Sequence, residues 1–390
     1  MGKKRLKVAL ILNDDFSMWH FRGGLIKSLV SRGISVYIIV PPGRYVTKLE
    51  EIGAKVIPVI MKRFFSPLRD VQLMLALYKI FRTEKFDLIH TMTIKPNIFG
   101  VLAAKIAGVK SVVCLVSGLG FVFSDKSTIA ARIVRLIIVF LYRFALSMSD
   151  KVWFQNNDDM VFFVKNKIIK KEKGIVIRSG GIDIKEFSKD SINYDSLDKL
   201  RKELCLSKNT KCVLMVAARM IWSKGVREFI ETANILRSKY SDWVFLMVCP
   251  MDLGSPDSVP TEYLNTHTSE NLIIIDYFRP DIKNIIALAD IMVLPSFYRE
   301  GVPRTLLEGL SLSKSIITTN NVGCKEVVED GKNGFLIPVK DSPALVEKLK
   351  ILMDDDLKRN SFGEYSRRMA EKYFDEKIVI SKILTELYEI

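Results

Sequence analysis

Short apolar runs recur along the chain, and each is followed by a longer stretch whose apolar residues fall at i, i+3 and i+4. Lys7–Leu12, Val36–Val40, Val56–Ile60, Asp87–Thr91, Ser111–Val116, Lys151–Gln155 and Gly174–Ile177 have strand character. Most are apolar on both faces, as strands of a covered parallel sheet must be. The stretches at about Gly24–Ser31, Leu68–Arg82 and Asn97–Ala107 have helical spacing. This alternation predicts a doubly wound parallel sheet. The pattern restarts with strands at Cys212–Ala217, Trp243–Val248, Leu272–Ile275, Ile291–Leu294 and Ser315–Thr319, again separated by helices. Ser188–Ser207 between the two series is polar and charged and reads as a linker. The predicted organisation is an N-terminal domain 1–187, the linker 188–207 and a C-terminal domain 208–372, all of α/β class. A length of 390 residues suits two such domains.

Ligands of doubly wound sheets lie at the carboxyl ends of the strands, so the loops there matter most. After the first strand, Trp19-His20-Phe21-Arg22-Gly23-Gly24 runs into a helix. After the fifth comes Ser117-Gly118-Leu119-Gly120-Phe121. This run superficially suggests a dinucleotide fingerprint. Phe123 replaces its third glycine and it does not follow the first strand, which argues against a dehydrogenase. In the second half, Arg219 and Lys224 follow a strand and precede a helix, spaced to converge on one phosphate pair. The stretch Ser296–Glu308 joins a strand to a helix through a turn that holds Glu300. Glu308 lies one to two turns into the helix. The helix N-terminus favours an anion, and carboxylates on either side suit sugar hydroxyls. Taken singly, each residue also has a plain reading, as a solvated loop cation, a cap or a surface Glu.

Charge changes the picture in the first half only. Residues 1–185 carry 31 Lys and Arg against 13 Asp and Glu, a net +18, whereas 186–390 carry 28 against 31. An anionic partner is implied for the first half. No helix-turn-helix or single-strand-binding pattern appears, so nucleic acid is not expected. The helix at Ser127–Ser149 holds the apolar run Leu136–Tyr142 flanked by Lys126, Arg132, Arg135 and Arg143. It is too short to span a bilayer, which needs about 20 apolar residues. Two readings stay open for it, a core helix or an interfacial helix on an anionic membrane surface. The five cysteines are scattered, odd in number and without C-x-x-C spacing, which predicts reduced core thiols and no zinc site. The N-terminal apolar run is too short for a secretory signal. The one literal D-x-D, Asp354–Asp356, sits in a charged joint between helices and reads as solvated, so no metal site is expected.

The motif S-x-x-x-E-G-x-P-x-x-x-L-E at Ser296–Glu308, then Gly323, Glu326-Val327-Val328, Gly331 and Gly334-Phe335-Leu336, resembles the donor-site signature of family 4 retaining glycosyltransferases. The R-x-x-x-x-K-G of Arg219–Gly225 matches the same family. Val176–Phe187 is similar to its N-G-V-D-x-x-x-F segment, with Ser179 where Asn is usual. The resemblance covers nearly the whole chain. It implies the GT-B architecture, two Rossmann-like domains facing across a cleft, with the last helix (about 375–390) packed back on the first. It also implies a metal-independent, cofactor-free transfer that retains anomeric configuration. Arg219 and Lys224 would grip the donor diphosphate, and Glu308 would accept from ribose hydroxyls. Glu300 would meet the transferred sugar, and the Gly301-Val302-Pro303-Arg304 backbone would lie near diphosphate and sugar.

Many family members carry a His just after the fifth strand, where this chain has Ser117-Gly118. That departure resembles a subgroup that builds bacterial surface polysaccharides and glycans on undecaprenyl diphosphate. His20–Arg22, Lys95–Gly100 and Trp222–Phe229 look most like its α-1,3-N-acetylgalactosaminyltransferase type. The resemblance then implies a UDP-N-acetylhexosamine donor and a polyprenyl-diphosphate-linked acceptor, at the cytoplasmic face of the bacterial inner membrane. Arg22 and Lys95 would hold the acceptor diphosphate, with Ser117 and Gly118 nearby. His20 would act as base or hydrogen-bond donor, or be structural. A GDP donor stays open. The rivals are a nucleotide-sugar 2-epimerase, disfavoured by only three His, a pyridoxal-phosphate phosphorylase, and a non-catalytic sugar-binding scaffold.

Overall fold

The computed structural model describes residues 5–62, 66–118 and 129–390, the side chains of 129–135 excepted. The chain forms two compact units. One is Met1–Gly181 together with Glu376–Ile390, the other Ile182–Asp375.

The first unit runs β1 (Lys7–Ile11), α1 (Asp15–Ser31), β2 (Ser35–Val40), α2 (Val46–Glu51), β3 (Lys55–Pro58), α3 (Pro67–Glu84), β4 (Leu88–Met92), α4 (Val101–Ala107), β5 (Ser111–Val116), α5 (Ile129–Met148), β6 (Lys151–Phe154), α6 (Asn157–Lys165) and β7 (Gly174–Val176). Its seven strands are parallel, in the order β3-β2-β1-β4-β5-β6-β7. Helices cover both faces, so β4 is buried at every position, the polar His90 and Thr91 included. On one face Leu73, Leu77 and Phe81 of α3 pack with Ala104 of α4 and with Tyr142 and Leu146 of α5. On the other, Met18, Leu25 and Leu29 of α1 pack with Val379, Ile383 and Leu387 from the C-terminal end of the chain.

In the second unit come α7 (Tyr194–Glu203), β8 (Lys211–Val216), α8 (Val226–Leu236), β9 (Trp243–Val248), α9 (Thr261–Asn265), β10 (Leu272–Ile275), α10 (Ile282–Leu288), β11 (Ile291–Leu294), α11 (Arg304–Ser311), β12 (Ser315–Thr319), β13 (Gly334–Ile337), α12 (Ser342–Asp354) and α13 (Asp356–Met369). Six parallel strands lie in the order β10-β9-β8-β11-β12-β13 around one core. Helix α14 (Glu376–Lys382) then returns to the first unit and continues as a wider turn, Ile383–Tyr388. The expected α/β class with two doubly wound parallel sheets is the observed one.

Three differences from the sequence reading have local causes. Helix α1 begins at Asp15, not near Gly24, because the Asp14 carboxylate accepts the Ser17 N–H at 2.6 Å and caps the helix there. His20 and Arg22 are therefore helical residues, not loop residues. Ser188–Ser207 is not a bare linker. It contains α7, capped by Asn193, with Leu200 and Leu204 in the core of the second unit. The chain passes between units at Gly181–Ile182, ahead of the expected boundary at 187. Strand β13 was visible in the sequence only as part of a motif.

Candidate active site

In the second sheet the strand order reverses between β8 and β11, with β9 and β10 on one side and β12 and β13 on the other. The carboxyl ends at such a switch point form the ligand crevice of an open α/β sheet. The loops leaving β8 and β11 border it and are stitched together. The Ser223 carbonyl accepts the N–H groups of both Phe297 and Tyr298 at 2.9 Å. Ser296 Oγ lies 3.3 Å from the same carbonyl. At the start of α11, Thr305 Oγ1 donates to the Val216 carbonyl at the end of β8, at 3.2 Å. Gly225 has φ +85° and lies so close to Pro295 that a side chain there would run into the Pro295 carbonyl. Gly323, at φ +83°, leaves the same kind of room for the Glu300 and Gly301 carbonyls. Both glycines are needed where a left-handed backbone meets a neighbouring main chain.

The charged groups follow from this stitching. Lys224 Nζ lies 2.5 Å from Glu300 Oε1, and their side chains are only 8% and 12% exposed. Ser296 Oγ donates to the same oxygen at 3.0 Å. Arg219 Nη1 is 3.4 Å from Asp252 Oδ2. The Tyr298 ring carries both cations, its centre 5.3 Å from the Arg219 guanidinium carbon and 5.3 Å from Lys224 Nζ. Arg219 and Lys224 therefore flank one spot. Glu308 is buried, and Arg304 Nε donates to its Oε1 at 3.0 Å. Burial pushes the Glu308 carboxyl above the ordinary value, against the pull of Arg304. Gly301 and Pro303 are buried in the turn, with Val302 and Arg304 partly exposed. Helices α8 and α11 both begin at this crevice, so the positive ends of their dipoles add to the field there. The arrangement suits a diphosphate between fixed cations, with carboxylates placed for hydroxyls.

The first unit treats its candidates differently. His20 packs its ring against Phe16 and Tyr45, at 4.4 and 5.1 Å between centres. Arg22 is 6% exposed, stacks 5.1 Å from Trp153 and donates to the Phe21 carbonyl at 2.7 Å. Lys95 is ion-paired at 2.6 Å with Asp70, and both side chains are nearly buried. The structure thus gives Arg22 and Lys95 internal partners rather than a solvent-facing position. Ser117 is exposed just after β5, and Gly118 follows with φ +110°. Leu119 to Phe121 lie outside the described residues. His90 is fully buried, its Nδ1 2.6 Å from Tyr388 Oη, a structural role as expected.

Family comparison agrees with this geometry. Residues 197–369 match the model of "Glycosyl transferases group 1", and residues 7–156 match "Glycosyl transferase 4-like". A Campylobacter jejuni protein, N,N'-diacetylbacillosaminyl-diphospho-undecaprenol alpha-1,3-N-acetylgalactosaminyltransferase, is 31% identical over 385 residues, covering 98% of each chain. This chain belongs to the family 4 glycosyltransferases. An Escherichia coli relative, UDP-Gal:alpha-D-GlcNAc-diphosphoundecaprenol alpha-1,3-galactosyltransferase, is 29% identical to this glycosyltransferase over 78% of its chain and 76% of the relative's. Among solved structures, an Anabaena protein, HepE, in complex with UDP-glucose superimposes with a TM-score of 0.80. It is 20% identical and covers 99% and 100% of the two chains. That likeness shows the GT-B fold.

The D-x-D of the glycosyltransferase is used structurally. Asp354 accepts from Tyr240 Oη at 3.0 Å, and Asp355 caps α13. Asp356 is held below the usual carboxylate range by Arg359 and Lys211. Four thiols, Cys114, Cys212, Cys249 and Cys324, are buried and pushed up to about 12. None of the five cysteines is in a disulfide.

Some residues of the crevice escaped the sequence reading. Asp257 accepts from both the amide and the hydroxyl of Ser223, and Trp222 N–H donates to its carbonyl at 2.9 Å. With Asp252 it makes the loop after β9 a buttress for the Arg219–Lys224 loop. The turn-rich run Met251–Asp257, following a strand next to β8, was the signal available. Tyr298 lay in plain view inside the motif, but nothing in the sequence joins it to Arg219.

Proposed function

We propose that this glycosyltransferase moves an N-acetylhexosamine, such as N-acetylgalactosamine, from a UDP donor to a polyprenyl-diphosphate-linked glycan, with retention and without a metal. The observation that carries the donor half is the placement of Arg219 and Lys224 on one ring at the switch-point crevice, beside Glu300. Fixed cations and helix N-termini stabilise the departing diphosphate where its charge develops. Glu300 leaves Lys224 to orient the sugar, Glu308 meets the ribose, and the Gly301–Arg304 turn closes over the diphosphate. A donor phosphate oxygen assists removal of the acceptor proton. The names of the Campylobacter jejuni and Escherichia coli relatives support the acceptor class.

In the first unit, His20, Ser117 and Gly118 contribute to acceptor binding, and Arg22 and Lys95 shape it from within. The enzyme works as a peripheral protein on the cytoplasmic face of the bacterial inner membrane. The described part of Ser127–Ser149 supports a lipid contact. One face of α5 is buried through Ile138, Tyr142 and Leu146, while Leu136, Phe140 and Phe144 on the other are more than half exposed. No helix among the described residues is long and apolar enough to cross a membrane.

The test is a screen of UDP- and GDP-sugars with a short undecaprenyl-diphosphate-linked acceptor, in EDTA, reading released nucleotide. Acceptor-dependent UDP release from one N-acetylhexosamine donor is expected. Release only from a GDP-sugar would overturn the donor assignment, and release only with added divalent metal would overturn metal independence.

A further inference from the structure

Helix α3 carries an outward apolar stripe that neither the family nor the crevice explains. Leu73, Leu77 and Phe81 bury its inner face. On the outer face Leu68, Val71 and Leu75, at i, i+3 and i+7, are 82%, 50% and 51% exposed, and Ile60 just after β3 is 75% exposed. Exposed apolar groups clustered like this mark an interaction surface. The charge around them has one sign. Between Val59 and Thr83 the only acidic residue is Asp70, and it is buried against Lys95. Lys62, Arg69, Lys79 and Arg82 are exposed. Helix α4 packs against both α3 and α5, and its Ile106 is exposed. The sequence of α5 has no acidic residue at all.

We propose that the outer faces of α3 and α5 together form a two-helix seat on an anionic lipid surface, with α3 as an independent contact. The inference rests on the reading of α5 as a lipid contact and extends it to a helix remote in sequence. Apolar side chains enter the headgroup boundary while the surrounding Lys and Arg meet anionic headgroups. A second copy of the chain is a poorer occupant, because it would set two cationic faces against each other. Two helices on either side of α4 also fix the rotation of the unit on the surface, which one helix cannot do.

The test is co-sedimentation of the full chain with vesicles of phosphatidylethanolamine and phosphatidylglycerol, and with phosphatidylcholine vesicles as control. Leu68→Ser with Leu75→Ser is compared with Leu136→Ser with Phe140→Ser. All four positions are exposed, so melting should be unchanged. The α3 pair is expected to lower partition to the anionic vesicles by about tenfold or more, with turnover on a short water-soluble acceptor unchanged. Lys79→Glu with Arg82→Glu should weaken binding to the anionic vesicles alone. Wild-type binding by the α3 pair while the α5 pair detaches would overturn the two-helix seat and leave α5 as the contact. Wild-type binding by both would remove the lipid reading of α5 as well. Dissociation of a dimer by the α3 substitutions, seen by size exclusion, would assign the stripe to self-association and also overturn the proposal.

Discussion

Replacing Lys224 with Met keeps the length of the side chain and removes its charge. Lys224 Nζ sits 2.5 Å from a Glu300 carboxylate that is 12% exposed and otherwise hydrogen-bonded by Ser296. Breaking a buried pair from one side costs about 3–5 kcal/mol because the other charge is stranded. Residual solvent access lowers this to roughly 2–3 kcal/mol here. At about 2–4 °C per kcal/mol for a domain of this size, melting should fall by roughly 4–12 °C. Catalysis should suffer separately, since losing one fixed donor to a developing charge costs about 10²–10³ in kcat. The two losses can be told apart by adding Glu300→Gln. The double variant has no stranded charge and should recover most of the melting temperature while turnover stays low. The assays are a thermal melt and nucleotide release at saturating donor. Wild-type turnover in Lys224→Met would refute the diphosphate role. A double variant as unstable as Lys224→Met would refute the stranded charge as the cause.

Other expectations follow from the same geometry. Asp252→Asn removes a carboxylate that competes for Arg219, so UDP should bind more tightly by calorimetry, and weaker binding would contradict the pairing. Gly225→Ala forces a side chain into a left-handed position against the Pro295 carbonyl and should destabilise by about 1–3 kcal/mol, read by denaturant titration. His90 is depressed to about 3 by burial, with Arg22 opposing its charge further. The unfolded chain takes up its proton below about 6.5, so stability is full above that value. It falls as pH drops from about 6.5 toward 3. His90→Gln should flatten that part of the melting curve.

The sheets were legible in the sequence because parallel strands covered on both sides are largely apolar runs, as around Ile38 and Val213. The crevice was legible because Arg219, Lys224 and Glu300 sit between a strand end and a helix, and Glu308 lies about one turn into α11. Long-range partners were not. Arg22 looked like an anion binder, yet it stacks on Trp153, far along the chain. Lys95 looked like another, yet it meets Asp70 from α3. The start of α1 was missed because Asp14 caps a helix whose first turns contain Phe16, Trp19 and His20, residues of only modest helix propensity. The charge of Ser188–Ser207 hid Leu197, Leu200 and Leu204, which pack α7 and its end against the second core.

The most direct measurement is a crystal structure with UDP or the UDP-sugar bound. The diphosphate should lie between Arg219 and Lys224 over the Tyr298 ring, with Glu300 moved from Lys224 to the sugar and Glu308 on the ribose. Nucleotide bound away from the β8–β11 crevice, or an unbroken Lys224–Glu300 pair beside a bound diphosphate, would contradict the account.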